Sequence, residues 1–550
     1  MKPWQHLLPL FVIALAVCLR LSAWHDFRAS ALFWVGDGGH DRTLYHQAAI
    51  SVAGGEILPE TAFRFLPLYP WLLGGLYAAC GPHLSLAGWL GMGLDLATLW
   101  LLMVLARRSG ATRAMAAMAG LIYAAYPLAT LYSLVTMPNS LNALMIILLV
   151  LSFRAASPFR PLAGLGVGLL AGLASLGFAG AIPMTLAGLV VVLLQEKRSA
   201  LAGVAISLLA LSVVLLPVAL HNARVEGQWT GLTTHSGFNL YLGNHEKATG
   251  YPVRVLDFRM SASDLLDDAH THAETMAGQH LSGAESSRWW RDQARAFWRN
   301  HPFTATMLTA KKGLLFWNHR DVDDLRLVEQ FRLLTGRFPI PPWPDFLPIG
   351  LLGLIGLSLV RNENRMRVMV LAGMLGLILF FITARYRLTF APVLLAMGAA
   401  AVSQRMAARQ YRSLAVCTVL AALVAWLPFT IPSQASVDAY NASLQLLQQN
   451  QLEAAEAILA PALSADPDNP NLNHALGSLR FQQERYTEAA AAFQRCADRE
   501  PNHPNARFNQ GLSLARAGLL CEGLAALRAI PNPSDKEADL LEALAQHCDG

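Results

Sequence analysis

The sequence predicts an all-α polytopic membrane protein of about 11 transmembrane helices, followed by a C-terminal α-helical repeat domain. Three observations predict it. The 550 residues are 54% hydrophobic and only 14% charged, with a mean hydropathy of +0.37, whereas soluble domains carry about 25% charged residues. Apolar runs of spanning character recur at 6–24, 84–106, 113–131, 137–153, 161–179, 181–195, 200–219, 346–360, 367–383, 388–404 and 413–431. After Pro428 the composition turns to Ala, Leu, Gln and Glu, and Pro467 and Pro501 stand 34 residues apart.

The first run is followed by Trp24-His25-Asp26-Phe27-Arg28 rather than by a small-residue cleavage motif, so it is read as a retained span. Next comes a loop dense in ionisable groups, Gly36-Asp37-Gly38-Gly39-His40-Asp41-Arg42-Thr43-Leu44-Tyr45-His46. Ionisable groups at a membrane edge are costly, which makes the cluster a candidate functional site. The run 66–81 is broken by Pro67, Pro70 and Gly74-Gly75, and is read as a helix lying at the membrane surface.

Sides follow from the positive residues, because Lys and Arg in short loops face the cytoplasm. With the N-terminus cytoplasmic, every short loop on that side is basic: Arg107-Arg108 with Arg113, Arg154 with Arg160, Lys197-Arg198, Arg361 with Arg365 and Arg367, and Arg405 with Arg409 and Arg412. Counting 66–81 as a span would scatter these loops over both sides. The outer face then holds the loops 25–83 and 220–345, the short loop with Arg385 and Arg387, and everything after residue 432. The Arg385/Arg387 pair breaks the charge rule and calls for a specific reason.

In 220–345 an acidic stretch (Asp264, Asp267, Asp268, Glu274) precedes two amphipathic stretches with Trp289-Trp290 and Phe297-Trp298. Tryptophans among basic residues favour the headgroup interface. The segment 433–550 repeats small residues, a large core residue and a closing proline: Leu476-Gly477, Ala489, Phe493 and Pro501, preceded by Ala442-Ser443, Ala455 and Pro467, and followed by Gly511, Gly523 and Leu527. This resembles a tetratricopeptide repeat, whose stacks present a concave surface to protein partners. Cys18, Cys80 and Cys417 read as packing residues. One disulfide among Cys496, Cys521 and Cys548 is open, with the pair undetermined.

The layout of residues 1–405 resembles the GT-C class of membrane glycosyltransferases, the branch holding protein O-mannosyltransferases and aminoarabinose lipid A transferases. Four motifs carry the resemblance: Asp41-x-x-x-Tyr45 with Ala48-Ala49; Pro67-Leu68-Tyr69-Pro70; Asn222 to Gly227 with Gly237-Phe238-Asn239-Leu240-Tyr241-Leu242-Gly243-Asn244 and Ala248-Thr249-Gly250; and Arg385-Tyr386-Arg387 with Pro392. It implies a domain over 1–432 with the repeats as an addition, and inverting transfer of a sugar from a polyprenyl-phosphate donor to an acceptor on the periplasmic face of the inner membrane. Asp41 is implied as the general base, with Asp37 as the alternative.

The chemistry is reasonable on its own terms. A carboxylate can take the proton of an attacking hydroxyl, and guanidinium suits phosphate oxygens. Arg385, Arg387, Lys311 and Lys312 are therefore the donor-phosphate candidates. Tyr45, His46, Arg64, Tyr69, Asn139 and Asn244 are the candidates for the acceptor and sugar pocket. The bland readings stand beside these. Asp41 would be a solvated charge or a partner of Arg42 or Arg64; Arg385 and Arg387 would be snorkelling anchors; Asn244 would be a turn residue. Related enzymes often carry a glutamate near the start of the fourth span, where this chain has Thr136-Met137-Pro138-Asn139-Ser140, so the acceptor type stays open.

Asp37, His40, Asp41 and His46 fit no standard metal spacing. No cofactor is expected, although divalent-metal dependence is left open. The net charge of +5 does not call for nucleic acid. Two other functions compete: a lipid A- or glycan-modifying transferase of the same class, and a transporter or scaffold with a repeat docking domain. The latter would use midspan charges, of which Asp95 is the clear instance.

Overall fold

A computed structural model describes residues 7–33, 41–156, 158–252, 262–337, 345–429, 435–501, 503, 505–530 and 535–548. Among them every regular element is helical. In chain order the helices are α1 (Leu8–Ala29), α2 (Asp41–Ala53), α3 (Leu68–Cys80), α4 (Leu84–Arg108), α5 (Arg113–Ala124), α6 (Pro127–Leu134), α7 (Asn139–Ala155), α8 (Pro161–Gly177), α9 (Ala181–Glu196), α10 (Leu201–Glu226), α11 (Ser236–Leu242), α12 (Ala262–Ala277), α13 (Gly283–Asn300), α14 (Pro302–Trp317), α15 (Leu327–Thr335), α16 (Leu347–Leu359), α17 (Asn364–Ile378), α18 (Ala384–Ala407), α19 (Tyr411–Ala425), α20 (Ala435–Gln448), α21 (Leu452–Ala465), α22 (Pro470–Gln482), α23 (Tyr486–Arg499), α24 (Ala506–Arg516), α25 (Leu520–Arg528) and α26 (Asp535–Cys548). Two compact units divide the chain. One gathers Met1–His25, Asp37–Leu327 and Pro339–Phe429; the other gathers Asp26–Gly36, Val328–Phe338 and Thr430–Gly550.

The first unit is built on apolar helices. Among the described residues, four stretches are long and apolar enough to cross a membrane: Leu8–Ala29, Leu84–Arg108, Ala181–Glu226 and Ala384–Ala407. A fifth is added if α5 and α6, bent by 58° to one another, form one span. Of the expected 11 or so spans, these four or five are therefore the ones of full length. Helices α7, α8, α16 and α19 are apolar but shorter, at 10–17 residues. The runs 181–195 and 200–219 fall in one 46-residue stretch, which the 3-10 turn Lys197–Ala200 divides. The run 113–131 is broken at Tyr126 because Pro127 opens a new helix; proline lacks the N–H needed in a helix interior but suits a first turn.

The centre of this unit is α18, buried almost continuously from Arg387 to Ala401. Its small residues let neighbours approach, as expected where helices must pack without large side chains between them. A Cβ on Gly356 of α16 would stand 2.7 Å from the Gly398 amide of α18, and a Cβ on Gly164 or Gly168 of α8 would strike the α10 backbone at Gly203 or Ser207. Asp95 is not a free midspan charge. Its carboxylate accepts from Arg20 at 2.6 Å and from the Tyr123 hydroxyl at 2.8 Å.

Trp290 of α13 corrects part of a second expectation. Trp290 is 2% exposed, packs on Phe238 and Tyr241 of α11 and donates to the Ala269 carbonyl at 3.0 Å. It is therefore core, not a headgroup anchor. Phe297, also on α13, is buried too.

The second unit stacks antiparallel helix pairs, α20/α21, α22/α23 and α24/α25, with α26 against α25. The spacing of its glycines has a direct reason. A Cβ on Gly477 would stand 2.7 Å from the Phe493 ring, and one on Gly511 would stand 2.7 Å from Leu527. Pro467 and Pro501 follow the ends of α21 and α23. The first hairpin's core of Ala439, Leu446, Leu447, Ala455, Leu459 and Leu472 also takes in Ala31 and Leu334, the latter partly buried. A disulfide joins Cys521 of α25 to Cys548 of α26, with Cα atoms 5.4 Å apart, and Cys496 is buried and free.

Candidate functional site

Side chains of four helices of the first unit meet here. Leu68 opens α3, Asn139 opens α7 and Ala384 opens α18, and Asp41 is the first described residue of α2. Arg385 Nη1 donates to Asp41 Oδ2 at 2.7 Å, and the Asn139 amide donates to the Arg385 carbonyl at 3.0 Å. Tyr45 on α2 packs edge-on to Tyr69 on α3, with ring centroids 5.7 Å apart, and lies 4.6 Å from Phe65. Helix N-termini carry unsatisfied N–H groups and a positive dipole end, so a meeting of several favours an anion.

Asp41 is the more open partner, its side chain 29% exposed against 13% for Arg385. Burial and the neighbouring Asp41 charge push the Tyr45 phenol up. Both suggested partners of Asp41, Arg42 and Arg64, give way to Arg385. Arg64 lies 4.0 Å from Asp267 instead.

The second half of the site comes from a segment that the sequence reading passed over, Arg320-Asp321-Val322-Asp323-Asp324. Asp324 accepts from Arg385 Nη2 at 2.6 Å and from the Thr383 hydroxyl at 2.7 Å. The Tyr132 hydroxyl donates to Asp323 at 2.6 Å, and the Leu327 amide donates to the same carboxylate at 3.0 Å. Asp321 accepts from Arg387 at 2.6 Å and from the Tyr126 hydroxyl at 2.9 Å. Burial raises the Asp321 carboxyl to about 7 against the pull of Arg387. Burial and the adjacent Asp324 raise Asp323 to about 6. Three acids in four residues beside an arginine was the readable signal.

Other candidates separate from this centre. Arg387 is 2% exposed. It donates to the carbonyls of Phe316, Asn318 and Arg320 as well as to Asp321, and its guanidinium lies 4.2 Å from the Phe346 ring centroid. It is a tie within the fold, neither a snorkelling anchor nor an open phosphate ligand. Lys312 is fully buried and donates to Asn244 Oδ1 at 3.2 Å, and burial lowers its amine to about 8. Asn244 is also a tie. Its amide reaches the carbonyls of Leu240 and Leu379, and it accepts from Trp298. Lys311 is half-buried.

His46 lies 3.0 Å from the Tyr77 hydroxyl and lines the α2–α3 contact. Asp37 and His40 lie outside the described residues. Among the described residues, no group of three or more His, Cys, Asp or Glu is placed to hold a metal ion.

A tetratricopeptide-repeat family model matches residues 440–497 and again 474–538. The C-terminal region is therefore a tetratricopeptide-repeat region, a class that commonly mediates protein–protein contact. No curated protein and no solved structure matches the chain.

Proposed function

We propose that the chain is a membrane glycosyltransferase that moves a sugar from a polyprenyl-phosphate donor to an acceptor on the outer face of the membrane. The observation that carries this reading is the 2.7 Å pair of Asp41 and Arg385 beside the starts of α3, α7 and α18. It joins a candidate base to a candidate phosphate ligand 344 positions apart in sequence. In the proposed reaction an acceptor hydroxyl attacks the anomeric carbon and its proton passes to the Asp41 carboxylate. The bond from that carbon to the phosphate oxygen breaks, and its electron pair leaves with the polyprenyl phosphate. Arg385 and the helix starts offset the negative charge of the leaving group. The attacking oxygen enters opposite the phosphate, so the anomeric configuration inverts.

The orientation proposed is an N-terminus in the cytoplasm and repeats outside, in the periplasm of a bacterial inner membrane. It rests on the basic short loops and agrees with the Cys521–Cys548 disulfide, because disulfides persist in oxidising compartments. Helices short of a full span would complete the bundle around α18. The repeats favour a protein as acceptor or as the carrier of the acceptor. A lipid A or glycan acceptor is the second reading, since Asn139 in place of an acid leaves the acceptor type open. A transporter reading loses its main support, because Asp95 is paired with Arg20.

Mass spectrometry of periplasmic glycoproteins and lipid A from a deletion strain tests the proposal. Loss of a sugar from either pool is expected, and unchanged pools would refute it. Removal of 433–550 should impair protein modification while leaving donor binding intact.

A further inference from the structure

Arg385 is shared between two carboxylates. Nη1 goes to Asp41 and Nη2 to Asp324, while Nε is buried without a hydrogen-bond partner. Asp324 is itself held by the hydroxyl of Thr383, a residue with no exposed surface that immediately precedes α18. Its two acidic neighbours are engaged elsewhere, Asp323 with Tyr132 and Asp321 with Arg387. Asp41, the other carboxylate on Arg385, is the more exposed of the two, at 29% against 17%. One edge of the guanidinium is thus anchored inside the protein, and the other is paired with a group that a ligand can reach.

We infer that Asp324 is a positioning residue for Arg385, holding Nη2 so that a donor phosphate can take over the Asp41 side of the fork while the guanidinium stays aimed. This rests on the reading of Arg385 as the phosphate ligand. A planar guanidinium binds two oxygens well only when its orientation is fixed, and that orientation comes from the partner behind it. Without Asp324 the fork is free to turn both donors to Asp41, and phosphate must then compete with a bidentate pair. Charge alone argues the other way, since removing a carboxylate beside an anion seat strengthens anion binding. The sign of the effect separates the two.

The test uses the full chain in detergent, with a long-chain polyprenyl phosphate as the probe. Its dissociation constant is measured for the wild type, R385A, D324N, D324E and D321N. D324N is expected to weaken binding about tenfold or more, the scale of one charge-assisted hydrogen bond. D324E should stay within about threefold of the wild type, and D321N, whose carboxylate ties Arg387 and not Arg385, should lose less than D324N in the protein that folds. Unchanged or tighter binding by D324N overturns the inference. So does an equal loss in D321N, because the effect would then be disruption of the shared loop. Wild-type binding by R385A overturns the phosphate reading itself, apart from any role of Asp324.

Discussion

Arg20 Nε donates to Asp95 Oδ2 at 2.6 Å, and each side chain is only 1% exposed. The pair joins α1 to α4, and the Tyr123 hydroxyl and the Ala124 carbonyl complete it. Breaking one half leaves a buried charge unpaired, which costs about 3–5 kcal/mol, whereas replacing both halves by apolar residues is often neutral. R20A or D95A should therefore lower the unfolding midpoint in detergent sharply, and R20M/D95L should recover most of the loss. A single variant as stable as the wild type would contradict this.

Lys312 sets a pH dependence. Its folded-state value of about 8 lies below the ordinary 10.5, so across that window the unfolded chain holds a proton that the folded chain has released. Stability therefore rises with pH from about 8 to 10.5, by at most about 1.4 kcal/mol per pH unit. It is lowest, and flat with respect to this group, below that window. K312M should remove the rise. Unfolding midpoints measured against pH for both proteins check it, and the same slope in K312M would assign the effect to another group.

The Cys521–Cys548 bridge ties α26 to the last repeat hairpin. In intact cells these two cysteines should resist maleimide until a reductant is added, and C548S should leave Cys521 labelled at once. Closing a loop of this length contributes about 3.5 kcal/mol in the chain-entropy account. Proteolysis should therefore reach α26 sooner in C548S. Ready labelling of both cysteines without reductant would place the repeats in a reducing compartment.

What the sequence made legible was local. Apolar runs marked α4, α7, α8 and α18 because periodic burial is written in consecutive residues. The repeats were legible because Gly477 and Phe493 recur at a spacing that one hairpin enforces. Asp41 and Arg385 were each readable as edge-of-membrane ionisable residues. Their pairing was not, because contact across 344 positions leaves no mark in a single chain. The roles of Arg387 and Asn244 were misread for the same reason. Most of their N–H groups go to backbone carbonyls, which every residue has. Asp324 was passed over because its function depends on the residue it holds.

If Asp41 takes the acceptor's proton, the rate of sugar transfer by D41N shows it. Membranes carrying the wild type or the variant are given a labelled polyprenyl-phosphate sugar, and label in the acceptor and released polyprenyl phosphate are followed together. Loss of a general base costs about a hundred- to ten-thousand-fold. The rate in D41N should fall by that much, with polyprenyl phosphate still bound through Arg385. Transfer by D41N at the wild-type rate would contradict it.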